Sequence, residues 1–153
     1  MAANHALVVF AIGDRPFAVP AASVRELLRA VAITDLPGAP IGVSGVIDLR
    51  GVLVPVVDLR ARLGIPPRPL RAADQLVICD VAFGPVAVRV DRVIELQTAA
   101  PDAIPAGAES DAIVHSLART PDGVVVITDL SSFLAEADVA ALATAVAGLG
   151  VAA

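Results

Sequence analysis

The chain repeats itself. Shifting it by 69 residues lays Leu7–Leu27, LVVFAIGDRPFAVPAASVREL, on Leu76–Leu96, LVICDVAFGPVAVRVDRVIEL, without a gap. Leu7, Val8, Pro16, Ala18, Val19, Val24, Glu26 and Leu27 are identical to their partners. A second pair of blocks follows in the same order. GVLVPVVDLRARL from Gly51 resembles GVVVITDLSSFL from Gly123, with one residue deleted. Two matched blocks in one order in each half indicate duplication, and so two similar units of roughly 70 residues. Of all residues 57% are hydrophobic, yet there are only four Phe and no Trp or Tyr. The core must therefore be aliphatic, and Val-rich segments broken by Gly and Pro favour β structure. Strands this short and numerous favour barrels, because closure leaves no exposed edge.

The pattern predicts strands over Leu7–Ile12 and Phe17–Val19, with Gly13-Asp14-Arg15-Pro16 as the turn. Val24, Leu27, Leu28 and Val31 recur at helical spacing and predict a short helix or helical turn over Ala21–Ala30. Val43–Leu49 and Val52–Val57 read as a hairpin around Arg50-Gly51, with Pro55 at an edge or bulge. Ala61–Gly64 reads as a helical turn and Ile65–Pro69 as a stiff connector. Further strands are expected at Leu76–Val81, Pro85–Val90, Val93–Gln97, Ile113–Arg119 and Val124–Thr128. Thr98–Asp111 reads as a mobile loop, and Val139, Leu142, Val146 and Leu149 mark one face of a C-terminal helix over 131–149. The simplest division is one barrel over about 14–73 and another over about 74–130, with strand 7–12 a candidate for exchange between them.

Charge and composition exclude several functions. A net charge of −5 argues against nucleic acid as partner. The longest uncharged run, Val139–Ala153, is Ala-rich and glycine-broken, and falls short of the 20 or so apolar residues that span a membrane. The N-terminus lacks the features of a signal peptide, and one cysteine makes no internal disulfide, so a cytoplasmic protein is expected. Charge is also uneven: residues 1–73 hold eight Arg and five acids (+3), residues 74–153 three Arg and eleven acids (−8). Such asymmetry orients a protein partner.

No catalytic constellation assembles. His5 and His115 have no second His, Cys or carboxylate at metal-ligand spacing. Cys79 lies in an apolar run, where burial would make its thiol inert. Ser44 lacks the context of a nucleophile elbow, and IGDRPFAVP lacks the glycines and Lys of a phosphate loop. Asp48 and Asp58 each have an Arg two residues on, which keeps them ionised rather than poised for proton transfer. The expectation is a non-enzyme with no metal and no cofactor. The competing reading, a small-ligand-binding barrel or an enzyme, conflicts with a core that has few aromatic or polar pocket residues.

One stretch remains to be explained: GVIDLRGVLVPVVDLRARLG, from Gly45 to Gly64, interrupts apolar sequence twice with Asp-Leu-Arg. It resembles the signature of the CheW family of chemotaxis coupling proteins, close to G-V-x-N-L-R-G-x-x-x-P-V-x-D-L-R. Gly45, Val46, Leu49, Arg50, Gly51, Pro55, Val56, Asp58, Leu59 and Arg60 match, and Asp48 stands where Asn is usual. LVVFAIGDRPFAVPAASVREL, VAVRVDRVIEL and VVVITDLSSFL are similar to other segments of the family, in the right order. The resemblance implies a mainly all-β single domain over about 6–148, built of two intertwined five-stranded SH3-like β-barrels with short helices and a C-terminal helix. It implies an adaptor with no activity of its own, tying the cytoplasmic tip of methyl-accepting chemoreceptors to the regulatory domain of a CheA-type histidine kinase. Such a protein sits in receptor arrays at the inner face of the membrane, without inserting into it. With no room for a kinase or receiver segment, a stand-alone coupler is expected. The same fold serving another pathway, such as type IV pilus motility, is the alternative.

The resemblance also places a receptor-binding groove at Val24, Glu26, Gly45, Asp48, Arg50 and Gly51, with Glu26 and Arg50 facing each other. It points more weakly to Leu59, Arg60 and Arg62 for the kinase. Asp58 is read as capping the strand end and the following turn. The carboxylate of Asp48 adds a charge beside Arg50, expected either to compete with Glu26 for Arg50 or to alter receptor preference.

Overall fold

A computed structural model describes residues 5–29, 31–39, 42–81, 84–105, 114–120 and 123–128. In chain order the strands are β1 (His5–Ile12), β2 (Arg15–Pro20), β3 (Val24–Arg29), β4 (Val43–Leu49) and β5 (Val52–Asp58). They are followed by β6 (Gln75–Val81), β7 (Gly84–Val90), β8 (Arg92–Pro105), β9 (Val114–Thr120) and β10 (Gly123–Thr128). A 3-10 turn at Ala21–Ser23 precedes β3, and helix α1 (Arg60–Leu63) follows β5.

The duplication is visible in the pairing, and so is its exchange. One closed barrel runs β1-β2-β10-β9-β8 and a second five-stranded sheet runs β3-β6-β7-β5-β4. Each unit thus takes its first hairpin from one half of the chain and its last three strands from the other. Registers repeat as the sequence does: β1 sets Leu7, Val8 and Val9 against Gln97, Leu96 and Glu95, while β6 sets Leu76, Val77 and Ile78 against Leu28, Leu27 and Glu26. Both ladders then slip, so that Phe10 meets Val93 and Cys79 meets Val24. The parallel pairings correspond too, Ala18 with Ile127 and Ala87 with Val56. The second sheet curls toward closure after β3, because Thr34 and Val46 exchange two backbone hydrogen bonds of 2.9 Å.

The division expected near residues 73 and 74 is therefore not where the sheets divide. β6 and β7 join the strands of the first half, and β2 as well as β1 joins those of the second. Burial supplies the reason. In β1, Leu7 and Val9 point into the closed barrel with Ala18 and Val125. Val8, Phe10 and Ile12 point the other way and pack on Val57, Val77, Cys79, Val86 and Val88. Leu76, Ile78 and Ala87 fill the second unit together with Ile47, Val54 and Val56. Strands β1, β2, β6 and β7 are covered on both faces, which accounts for their nearly unbroken apolar runs. Cys79 lies in this shared layer, and burial pushes its thiol up to about 12, beyond reach as a nucleophile.

Two further expectations are corrected. Residues 24–29 form a strand rather than a helix: Val24, Glu26 and Leu28 alternate with exposed Arg25, Leu27 and Arg29, and β6 supplies the ladder. Thr98–Pro105, expected within a loop, extends β8, with its backbone paired to β1 and then to β9. Pro55 sits opposite Val46, whose amide and carbonyl turn away toward Thr34, and the ladder to β7 begins only at Val56. The missing N–H thus costs neither neighbour a bond. The expected C-terminal helix over 131–149 and the Pro121-Asp122 turn lie outside the described residues.

The connector between the halves is held by a clasp of three arginines and three aspartates. Arg68 grips Asp74 through bonds of 2.5 and 2.9 Å and reaches Asp91 at 2.8 Å. Arg60 bonds Asp91 at 2.6 Å and the Pro66 carbonyl at 3.1 Å. Arg89 donates to the Arg68 carbonyl at 2.8 Å and lies between Asp58 and Asp74. Gly13, in the β1–β2 turn, donates its amide to Asp91 at 2.9 Å. Burial alone would raise the carboxyls of Asp74 and Asp91. The hydrogen bonds from Arg68 to Asp74, and from Arg60 and Gly13 to Asp91, outweigh it and hold both below the usual carboxylate range.

Depressed carboxyl pKa values stabilise the fold above the unfolded pKa, near 4. That contribution is lost as pH falls through the lower folded values. The urea midpoint should stay flat from about pH 7 to 5 and fall below about pH 4. Asp74→Asn should cost about 3 kcal/mol at pH 7 by uncompensating Arg68 and Arg89, and should shallow that acid slope. Arg25→Gln, at a half-exposed pair with Asp80, should cost less than about 1 kcal/mol.

Candidate functional site

Leu49 pairs with Val52, which leaves Arg50 and Gly51 as a two-residue hairpin turn. Both have positive φ, 52° and 88°, as the turn that matches strand twist requires. Gly51 adopts this freely, whereas Arg50 does so at a cost. The Oδ1 of Asp48 accepts the Gly51 amide at 2.7 Å and so braces the turn. The expected competition between Asp48 and Glu26 is thereby corrected: the Asp48 carboxylate is spent on backbone, and Arg50 remains on Glu26.

Glu26 comes from β3 and Arg50 from the β4–β5 turn, at opposite ends of the strand order of their sheet. The guanidinium meets the carboxylate in a two-pronged pair, Nη2 to Oε2 at 2.6 Å and Nη1 to Oε1 at 3.2 Å. Hydrogen bonding from Arg50 holds the Glu26 carboxyl below its ordinary value, helped by the charges of Arg50 and Arg25. The Arg50 side chain is nevertheless 68% exposed and that of Glu26 27%. Val52, just past the turn, is half exposed. Sequence reading passed over Val52, since nothing distinguishes it from the buried valines of β5 except its place next to the turn.

The other site residues divide. Val24 is partly buried and packs against the layer shared by the two units, close to Glu26 along β3. Gly45 serves a contact inside the chain: a Cβ there would stand 2.1 Å from the Thr34 carbonyl oxygen and 2.8 Å from Ile33 Cγ2. It makes room for the Thr34–Val46 bridge that curls β3 back toward β4. Leu59 is fully buried in the shared core, and Arg60 is buried in the clasp. Neither presents a surface to a kinase, which corrects both assignments; a chain reversal after β5 turns them inward. Arg62 lies on α1. Asp58 Oδ1 accepts the Arg60 amide at 3.1 Å, the capping expected of it.

The pattern of two exchanged five-stranded units with this corner at the turn invites comparison with known proteins. Residues 6–138 match the CheW-like domain. The chain belongs to the CheW-like family. It is 37% identical over 95 residues to the probable chemotaxis protein CheW of Rhizobium etli, covering 62% of this chain and 61% of that protein. It is 25% identical over 133 residues to the chemotaxis protein CheW of Bacillus subtilis, covering 84% and 85%. The chain thus spans about 61% of the length of the Rhizobium relative. Among solved structures, the scaffolding protein TtCheW from Thermoanaerobacter tengcongensis superposes with a TM-score of 0.77 at 27% identity, over 88% of this chain and 95% of that one.

Gly45→Ala should cost about 3 kcal/mol, since the added methyl must displace backbone. Chemical denaturation would measure it, and hydrogen exchange should rise at the Thr34 and Val46 amides. Arg50→Gly should leave the midpoint close to that of the parent, because relief of turn strain offsets the loss of an exposed pair.

Proposed function

We propose that this protein is a non-enzymatic adaptor that couples the cytoplasmic tip of a membrane chemoreceptor to the regulatory domain of a CheA-type histidine kinase. The Glu26–Arg50 corner is its receptor contact. Membership of a family whose relatives are named as chemotaxis and scaffolding proteins supports the class of function. Arg50 carries the assignment of the contact. A non-glycine residue accepts positive φ there, and its guanidinium is oriented by Glu26 while most of its surface faces solvent. An exposed pair adds little to stability, so an oriented and accessible cation is better explained by recognition. Val52, two residues on, with Val24 as the partly buried floor, offers the apolar contact that a helical receptor tip can fill.

Among the described residues no helix is long and apolar enough to cross a membrane. Attachment to receptor arrays would come through the partners. With Leu59 and Arg60 turned inward, Arg62 on α1 is the one residue of that group kept for the kinase.

Arg50→Glu should abolish receptor-dependent activation of the kinase in a reconstituted mixture of receptor vesicles, kinase and this protein. Its melting temperature and its capture by the kinase regulatory domain should stay near those of the parent. Normal activation by the variant would remove the corner from the receptor contact. Failure of the parent protein to bind either partner would overturn the adaptor reading itself.

A further inference from the structure

Bracing the β4–β5 turn uses one oxygen of Asp48 and none of its charge. Its Oδ1 accepts the Gly51 amide at 2.7 Å, a bond that the side-chain oxygen of an asparagine makes equally well. Asp48 is exposed, and among the described residues its Oδ2 has no hydrogen-bond or ion-pair partner. The cation that follows in the same turn does not neutralise it, because Arg50 turns both Nη groups to Glu26, at 3.2 and 2.6 Å. Arg25, the other cation acting on Glu26, is held by Asp80 at 2.5 Å. Glu26 with Arg50 and Arg25 with Asp80 therefore cancel, and the charge left over at the corner is the negative one of Asp48.

We propose that Asp48 is a specificity determinant of this corner: its open oxygen takes a lysine or arginine of the receptor tip, next to an acidic residue of the same helix that docks on Arg50. The proposal rests on the receptor reading above and names the chemistry of the partner. A guanidinium has five N–H donors, and Glu26 takes two of those of Arg50, so a second carboxylate can be held while the first stays in place. Residues three or four apart on a helix stand about 5–6 Å apart at Cβ, a spacing that suits two side chains two residues apart at a hairpin end. A tip with acids at both points meets like charge at Asp48 and is rejected, so selection works by repulsion as well as by attraction. A neutral acceptor at position 48 would keep the turn and lose that choice.

Co-sedimentation of the full chain with vesicles carrying each membrane chemoreceptor of the host in turn, over a range of salt, tests this. Asp48→Asn keeps the brace and removes the charge. Its melting temperature and its capture by the kinase regulatory domain should match those of the parent. Its affinity for the vesicles should fall about three- to five-fold at low salt, and the gap should close as salt rises. In the receptor that binds, one basic residue of the tip changed to Gln should weaken the parent by a similar factor and leave Asp48→Asn unaffected. The same residue changed to Glu should weaken the parent further than it weakens Asp48→Asn. If Asp48→Asn binds like the parent at every salt, or no basic residue of the tip couples to position 48, the proposal is overturned while the receptor reading stands. If the parent binds none of the vesicles, the receptor reading fails and the proposal falls with it.

Discussion

The layer shared by the two units is what everything else rests on. Strands β1 and β2 lie back to back with β6 and β7, and Phe10, Ile12, Val19, Val77, Cys79 and Val88 fill the space between. Each fully buried aliphatic or aromatic side chain there contributes about 1.5–3 kcal/mol. Among the described residues no comparable cluster lies within the closed barrel, where the buried ones are Leu7, Val9, Ala18 and Val125. Because the hairpins at the centre are completed by strands from the opposite half, neither unit can close without the other. The duplication has become one cooperative structure in place of two beads on a string.

That scaffold uses arginine and carboxylate in two opposite ways. In the clasp, Arg60, Arg68 and Arg89 are largely shielded, Asp74 is buried, and every one of them has several partners. Charges withdrawn from water are tolerated only with such saturation, and losing one member exposes the rest to the cost of burial. The clasp ties the proline-rich connector to the β1–β2 turn and to Asp91, and so holds the halves in their exchanged arrangement. At the corner, Glu26 orients Arg50 without enclosing it, and water screens the pair. The first arrangement is structural. The second keeps a cation presentable, on a turn braced by Asp48 and a strand positioned through the contact of Gly45 with Thr34.

The repeat is the strongest signal in the sequence, and it contradicts the helical spacing at one element. Residues 93–97 read as a strand, while their repeat partners 24–28 read as a helix from the spacing of Val24, Leu27 and Leu28. Equivalent segments must share a conformation, and the alternation of Val24, Glu26 and Leu28 with Arg25, Leu27 and Arg29 is the period the ladder obeys. Leu59 and Arg60 show a different limit of pattern reading. An Asp-Leu-Arg triplet has the same composition at 48–50 as at 58–60, yet the first Arg ends on an open turn and the second turns inward to Asp91.

Sequence alone determined the aliphatic all-β character, the duplication and the two-residue turn at Arg50-Gly51. These depend on local propensity, on composition and on matched blocks, all of which are written along the chain. Which hairpin joins which strands, which arginines are buried, and that Gly45 yields to Thr34 rather than to a partner were decided by tertiary structure. Each of those depends on groups that are distant in sequence and meet only when the central hairpins cover one another.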